Sequence, residues 1–381
     1  MPKTTIAQLA DYGQSIWLDH ISKSLFSSGK LKRMIDSGLR GMTSNPSIFN
    51  ESIGNSSDYD EAIAPLKEQG KNSFEIYDQL TMEDIGHAAQ AFSGVYQSTQ
   101  YLDGYVSLEI NPKLAMQAKE SIEEGIRLFR TVNRSNVMIK VPATNAGYEI
   151  AEELLARGVN VNVTLIFSLE QYKRVAEAFM KGMARLSKTN ADLSKVRSVA
   201  SVFVSRLDTA VDHLLDQKCA LEKNKSSQEN LRTLKGKAAV ANCQLIFHEF
   251  NKIFYGPAFK MLSKEGCPVQ RVLWASTGTK NLQYSDIKYM AELISKPTVN
   301  TLPEKTILAF TDHGIVKEAL TGLKEEAAKA EWVFDQLLSV DIRIDAICQK
   351  LLADGLVAFE KSFDILLNSI ETKSESLAGK S

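Results

Sequence analysis

Eight short β-type runs separated by longer segments of helical periodicity predict an α/β protein, with parallel strands closed into a (β/α)8 barrel. Three observations carry this reading. The runs number eight, the spacers are long enough for crossover helices rather than hairpin turns, and the polar residues within the runs share one parity. The runs cover approximately residues 15–20, 41–45, 105–110, 137–142, 161–166, 198–204, 271–277 and 298–302. Between them, segments such as 75–96, 112–132 and 169–186 return apolar residues every three or four positions, as amphipathic helices do. Asn111-Pro112 reads as an N-cap followed by proline at the first helical position.

At 381 residues the chain exceeds the roughly 250 of a typical barrel. The surplus falls after the second strand, over 50–101, and after the eighth, where 315–331 and 342–370 read as helices packed on the outside of the barrel. Residues 222–237, polar and lysine-rich, read as a solvated surface loop, and 373–381 as a frayed end. The expected organisation is one barrel domain over 1–381, with 303–372 mainly C-terminal helices.

Bulk properties narrow the function. Forty-five Lys and Arg balance 46 Asp and Glu, with no long block of either sign, which argues against a nucleic-acid or membrane surface as partner. Residues 1–14 lack a basic region followed by an apolar stretch, and a cytoplasmic location is expected. Cys219, Cys243, Cys267 and Cys348 are widely spaced and read as buried, reduced thiols. His20, His87, His213, His248 and His313 show no ligand-type spacing, so no metal site is expected. A monomer and a homodimer are equally compatible with the sequence.

Chemistry enters through strand alternation. Successive barrel side chains point inward and outward, so residues of one parity share the interior. Trp17 and Asp19, Ser107 and Glu109, Met138 and Lys140, Asn162 and Thr164, and Ser201 and Phe203 form the polar set, while their neighbours are almost wholly apolar. Asp19, Glu109, Lys140 and Thr164 lie late in their strands, at the end where barrel enzymes build their sites. Lys140, alone in Val137-Met138-Ile139-Lys140-Val141-Pro142, is costly to bury unless neutralised, paired or used, which makes it a candidate amine nucleophile toward a carbonyl. An amine, two carboxylates and several hydroxyl and amide groups suit carbonyl chemistry on a sugar. Each residue also has a plainer reading, and for Lys140 it is a stem lying along the strand end with its head reaching water. Asp19 could cap a helix, Asn45-Pro46 could be a turn, Glu109 could only pair with Lys140, and Arg206 could pair with Asp208 at the surface. Ser276-Thr277-Gly278-Thr279-Lys280 offers hydroxyls, a glycine and a cation, a combination that suits phosphate.

Several of these segments, in order, resemble the transaldolase family of Schiff-base aldolases in its longer bacterial form. They are Ile16-Trp17-Leu18-Asp19, the run from Gly41 through Asn45-Pro46 to Phe49, Val106-Ser107-Leu108-Glu109, Met138-Ile139-Lys140-Val141-Pro142 and the run from Asn160 to Ser168. The stretches from Ser201 through Arg206 to Asp208, from Leu273 through Ser276 to Asn281, and Val299-Asn300-Thr301-Leu302-Pro303 complete the series. The resemblance implies transfer of a dihydroxyacetone unit from sedoheptulose 7-phosphate to glyceraldehyde 3-phosphate in the non-oxidative pentose phosphate pathway, with sugar phosphates as partners and no cofactor. It also implies roles. Lys140 forms the Schiff base, Asp19 is acid and base at the sugar hydroxyl, and Glu109 and Thr164 hold a water. Asn45, Asn162 and Ser201 orient the dihydroxyacetone part, and Arg206 and Ser276 bind phosphate. Phe203 matches the transferase branch, where the branch that only cleaves fructose 6-phosphate carries tyrosine. One departure concerns Lys280, which follows an apparent one-residue insertion where shorter members carry arginine; lysine binds phosphate without the bidentate fork. A fructose 6-phosphate aldolase, and a phosphosugar isomerase or binding protein on the same barrel, are the alternatives.

Overall fold

The computed structural model describes residues 3–378. Eight strands pair in chain order, all parallel, and the eighth returns to the first. They are β1 (Gln14–Asp19), β2 (Gly41–Thr43), β3 (Tyr105–Glu109), β4 (Val137–Pro142), β5 (Val161–Ile166), β6 (Ser198–Phe203), β7 (Arg271–Ala275) and β8 (Thr298–Leu302). The expected barrel is therefore present, and β4, β5 and β8 have the expected bounds. β2 and β7 are each two residues shorter than the alternation suggests, for local reasons. Asn45 turns to cap the helix Pro46–Phe49, its Oδ1 accepting from the Ile48 amide at 3.0 Å, and Ser276 adopts φ 54°, which ends the strand.

Outward strand residues such as Ile16, Leu18, Val106, Ile139, Val161 and Val163 are buried under the surrounding helices. Inside, the two ends differ. At the N-terminal end Arg271 donates to Ser15 Oγ at 2.8 Å and to Asp103 Oδ1 at 2.7 Å, and Ser15 donates to Asp103 Oδ2 at 2.9 Å. A buried pair of this kind is held by complete hydrogen bonding rather than by attraction alone. Above it the Trp17 indole fills space that exists because residue 41 is glycine; a Cβ there would stand 2.7 Å from the ring and 2.7 Å from the Tyr105 carbonyl.

Several expectations about the connections are corrected. The region 222–237 contains a helix, Lys225–Leu234, capped by Asn224 and burying Leu231 and Leu234; its polar outer face hides the apolar stripe. Instead of a helix over 315–331, the chain runs irregularly to Leu323 and the helix is Lys324–Ser339. Backbone amides of Ala319 and Leu320 donate to the Ile294 carbonyl, a tertiary partner that replaces helical bonds. The segment 75–96 divides into Ser73–Ala91, opened by an Asn72/Glu75 capping box, and Ser93–Ser98. Segment 112–132 divides into a 3-10 turn, Pro112–Leu114, and Ala118–Val132. Cys219 is only partly buried, whereas the other three cysteines are buried.

The largest correction concerns the C-terminal helix, Ile344–Ala378. The sequence reads it as a helix outside the barrel and leaves open whether it covers the mouth or only the flank; it crosses the mouth. Ser47 after β2 donates to Ser362 at 2.9 Å, Lys113 after β3 pairs with Asp364 at 2.6 Å, and Cys348 donates to the carbonyl of Phe167 after β5 at 3.0 Å. Its last turns are not frayed as expected, since Lys373 pairs with Asp60 at 3.0 Å; 379–381 lie outside the described residues. No helix among the described residues is long and apolar enough to cross a membrane.

Two glycines separate close packing from simple propensity. In the helix Asn145–Ala156 a Cβ on Gly147 would sit 1.7 Å from the Pro142 carbonyl oxygen, while Gly86, in Ser73–Ala91, faces open space. Gly147→Ala is expected to cost more than about 2 kcal/mol in urea unfolding, through displacement of the helix from β4. Gly86→Ala is expected to stabilise by about 0.5–1 kcal/mol. Equal effects would contradict the contact.

Candidate active site

The C-terminal ends of the strands open into a cavity of about 330 Å3. Asp19, Asn45, Lys140, Thr164, Ser201, Phe203, Arg206, Ser276 and Lys280 all line it. Three larger clefts, of about 410, 500 and 660 Å3, lie among surface helices and receive no strand end, so the smaller cavity is the candidate. Glu109 and Asn162 are buried beside its floor.

Strand register explains the convergence. Glu109 is paired with Lys140, Lys140 with Asn162, and Pro142 with Thr164. Lys140 Nζ donates to the Ser44 carbonyl at 3.0 Å and stands 3.6 Å from Glu109 Oε2, too far for a hydrogen bond. Glu109 Oε2 and Thr164 Oγ1 are buried without a partner among the described residues, where a water or ligand would satisfy them. The pair is therefore not a closed salt bridge. Beneath it Asn162 donates to Ser107 Oγ at 3.0 Å and accepts from Ser201 at 2.6 Å, which fixes both polar groups.

Asp19 caps nothing, since Ser22 caps the next helix; it accepts from Thr43 Oγ1 at 2.7 Å instead. Asn45 is a cap as well as a cavity residue. Asp208 accepts from the Tyr289 hydroxyl and the Ala239 amide, leaving Arg206 without a carboxylate partner among the described residues; its guanidinium lies 5.4 Å from the Phe203 ring centre. Arg206 and Lys280 share one wall of the cavity with Ser276.

Burial perturbs these groups. It raises the pKa of Asp19, against the opposing effects of the Thr43 hydrogen bond and of Lys140. It raises Glu109 to about 7, with Lys140 opposing and Asp19 adding. It lowers Arg206, and it lowers Lys280 together with repulsion from the neighbouring Arg206.

Backbone strain gathers here too. Leu165 has φ 59° at an irregularity in the β5–β6 pairing, and Ser276 has φ 54°. Residues not singled out from the sequence are Thr43, which bonds Asp19 and Thr301, together with Lys305 and Phe359. Thr43 and Thr301 were open to the same parity argument. Phe359 was not, because an aromatic in an amphipathic helix reads as core.

The family model described as Transaldolase/Fructose-6-phosphate aldolase matches residues 16–370. The chain belongs to this family. Within it, the chain is 38% identical to a transaldolase of Trichodesmium erythraeum over 98% of both chains. It is 39% identical to transaldolase 2 of Nostoc sp. (strain PCC 7120) over 97% of both, and 40% identical to a transaldolase of Saccharopolyspora erythraea over 96% of this chain and 97% of that one.

Glu109 gives this family member a testable pH dependence. Because its folded pKa of about 7 lies above the ordinary 4.5, the folded state holds the extra proton between those values. Its contribution is then most favourable below about pH 4.5 and is lost as pH rises toward 7, by up to about 3 kcal/mol. Urea unfolding of Glu109→Gln and the parent should show their difference shifting in favour of the variant by that order from pH 4.5 to 8. A difference independent of pH would contradict the assignment.

Proposed function

We propose that the protein is a transaldolase, moving a dihydroxyacetone unit from sedoheptulose 7-phosphate to glyceraldehyde 3-phosphate and yielding erythrose 4-phosphate and fructose 6-phosphate. The observation that carries this reading is the amine of Lys140 at the floor of the mouth, 5% exposed, with an unclosed carboxylate beside it.

Lys140 Nζ attacks the ketose carbonyl carbon as the π pair moves to oxygen. The Ser44 carbonyl holds one N–H and so aims the lone pair. The oxyanion takes one proton released by the attacking nitrogen and a second from Glu109, which, balanced near neutrality, can give and later retake it through a water satisfying Thr164, and the oxygen leaves as water to give the iminium. Asp19 then accepts the proton of the hydroxyl at the carbon beyond the bond to be broken. That hydroxyl becomes a carbonyl, and the bond's electrons pass into the iminium to form an enamine. The first aldehyde leaves, a second one enters, and the enamine carbon attacks it while Asp19 returns the proton. Hydrolysis frees the new ketose. Asn45, Asn162 and Ser201 orient the retained unit, a positioning effect. Arg206, Ser276 and Lys280 hold the phosphate, with Lys280 as a point charge. Phe203 has no hydroxyl to activate water, which supports transfer over simple cleavage.

Borohydride with fructose 6-phosphate should leave a reduced three-carbon adduct that mass mapping assigns to Lys140. Lys140→Ala should abolish adduct and turnover with the fold retained by circular dichroism. Wild-type-like turnover in that variant would refute the nucleophile. Asp19→Asn should lower kcat by about 10²–10⁴-fold. Full activity in it would remove Asp19 from the mechanism.

A further inference from the structure

We propose that Phe359 shields the carbon bound to Lys140 from water, and so sets how often the three-carbon unit reaches an aldehyde instead of being hydrolysed. The inference rests on the Schiff-base reading above and assigns a new task to the C-terminal helix. The Phe359 ring centre lies 5.9 Å from Lys140 Nζ, and the side chain is 8% exposed. It lines the cavity from an element that is not part of the barrel's strand-and-loop repeat.

The helix is built to hold the ring there. Cys348, Gly355, Phe359, Phe363, Leu366 and Ile370 recur at three-, four- and seven-residue spacing and form one stripe. Cys348 is tied to the Phe167 carbonyl, and Phe363 packs edge-on against Tyr77 at 5.1 Å. Gly355 lets the helix approach: a Cβ there would already stand 3.1 Å from Leu165 Cδ2 and 3.9 Å from Arg206 Nη1. Phe359 lies one turn from each of the last two anchors.

The two sides of the amine are chemically unlike. Glu109 Oε2 and Thr164 Oγ1, buried and unpartnered, can hold a water on the strand side. The aromatic face tolerates the positive charge of the iminium but offers bulk water no hydrogen bond. Premature loss of the unit begins when the enamine carbon takes a proton. Water oxygen then bonds to the iminium carbon, the C–N π pair moves to nitrogen, and a water proton passes to a carboxylate. Protonation of nitrogen breaks the C–N bond, the new hydroxyl gives up its proton, and dihydroxyacetone leaves. A ring over the reacting carbon closes the approach to bulk water and leaves only the water held on the strand side, while the aldehyde, held by its phosphate, enters beside it.

The test supplies fructose 6-phosphate as donor and erythrose 4-phosphate as acceptor and measures free dihydroxyacetone against sedoheptulose 7-phosphate formed. The ratio should rise about tenfold in Phe359→Ala and about threefold in Phe359→Leu, which keeps part of the cover. Val357→Ala, on the exposed face of the same helix, should leave it at the parental value. An unchanged ratio in folded Phe359→Ala overturns the proposal, as does an equal rise in Val357→Ala. If Phe359→Ala does not fold, a parental ratio in Phe359→Leu overturns it. Borohydride trapping separates the two readings: no adduct on Lys140 in the parent removes the Schiff base itself, whereas an adduct with an unchanged ratio removes only the role of Phe359.

Discussion

A single amine kept out of bulk water, close to carboxylates but not locked to them, is the constraint around which this molecule is arranged. Were Glu109 hydrogen-bonded to Lys140, the two would satisfy each other and leave nothing for a substrate. The 3.6 Å separation and the orphaned oxygens prevent that closure. Keeping polar groups unsatisfied costs stability, and the cost is met by a large apolar shell outside the strands and by rigid backbone within them. The register that sets Glu109 beside Lys140 follows from the closed hydrogen-bonded ring, so the spacing of the reacting groups is a property of the whole barrel.

Much of this was legible because strand alternation is a short-range signal with one buried outcome. Polar residues at one parity and apolar ones at the other specify which side chains meet in the interior, and Lys140, Glu109, Asp19 and Thr164 are brought together as the parity implies. The helices were less legible for a physical reason. A surface helix such as Lys225–Leu234 buries few residues, and its polar majority is indistinguishable from a solvated loop. The segment before Lys324 carries apolar residues at helical intervals, yet Ile315 is 77% exposed and the backbone finds partners near β8. Periodicity states that a stripe exists but not what lies beneath it, and for that reason the helix Ile344–Ala378 could be anticipated while its course over the mouth could not.

Strain at Leu165 and Ser276 belongs to the same economy. Both residues adopt left-handed backbone where a strand gives way to the mouth, and both adjoin groups with a proposed task, Thr164 on one side and the Arg206–Lys280 wall on the other. Such conformations persist only where surrounding packing leaves no alternative, and here the helix over the mouth supplies part of that packing through its contact with Leu165.

The plug of Arg271, Asp103 and Ser15 at the opposite end carries a kinetic consequence. Among the described residues that end is filled by hydrogen-bonded side chains, whereas the cavity lies at the opposite, C-terminal ends of the strands. On the proposed mechanism, the departing aldehyde and its successor use the same cavity in turn, so an excess of either would compete with the other for the one occupied amine.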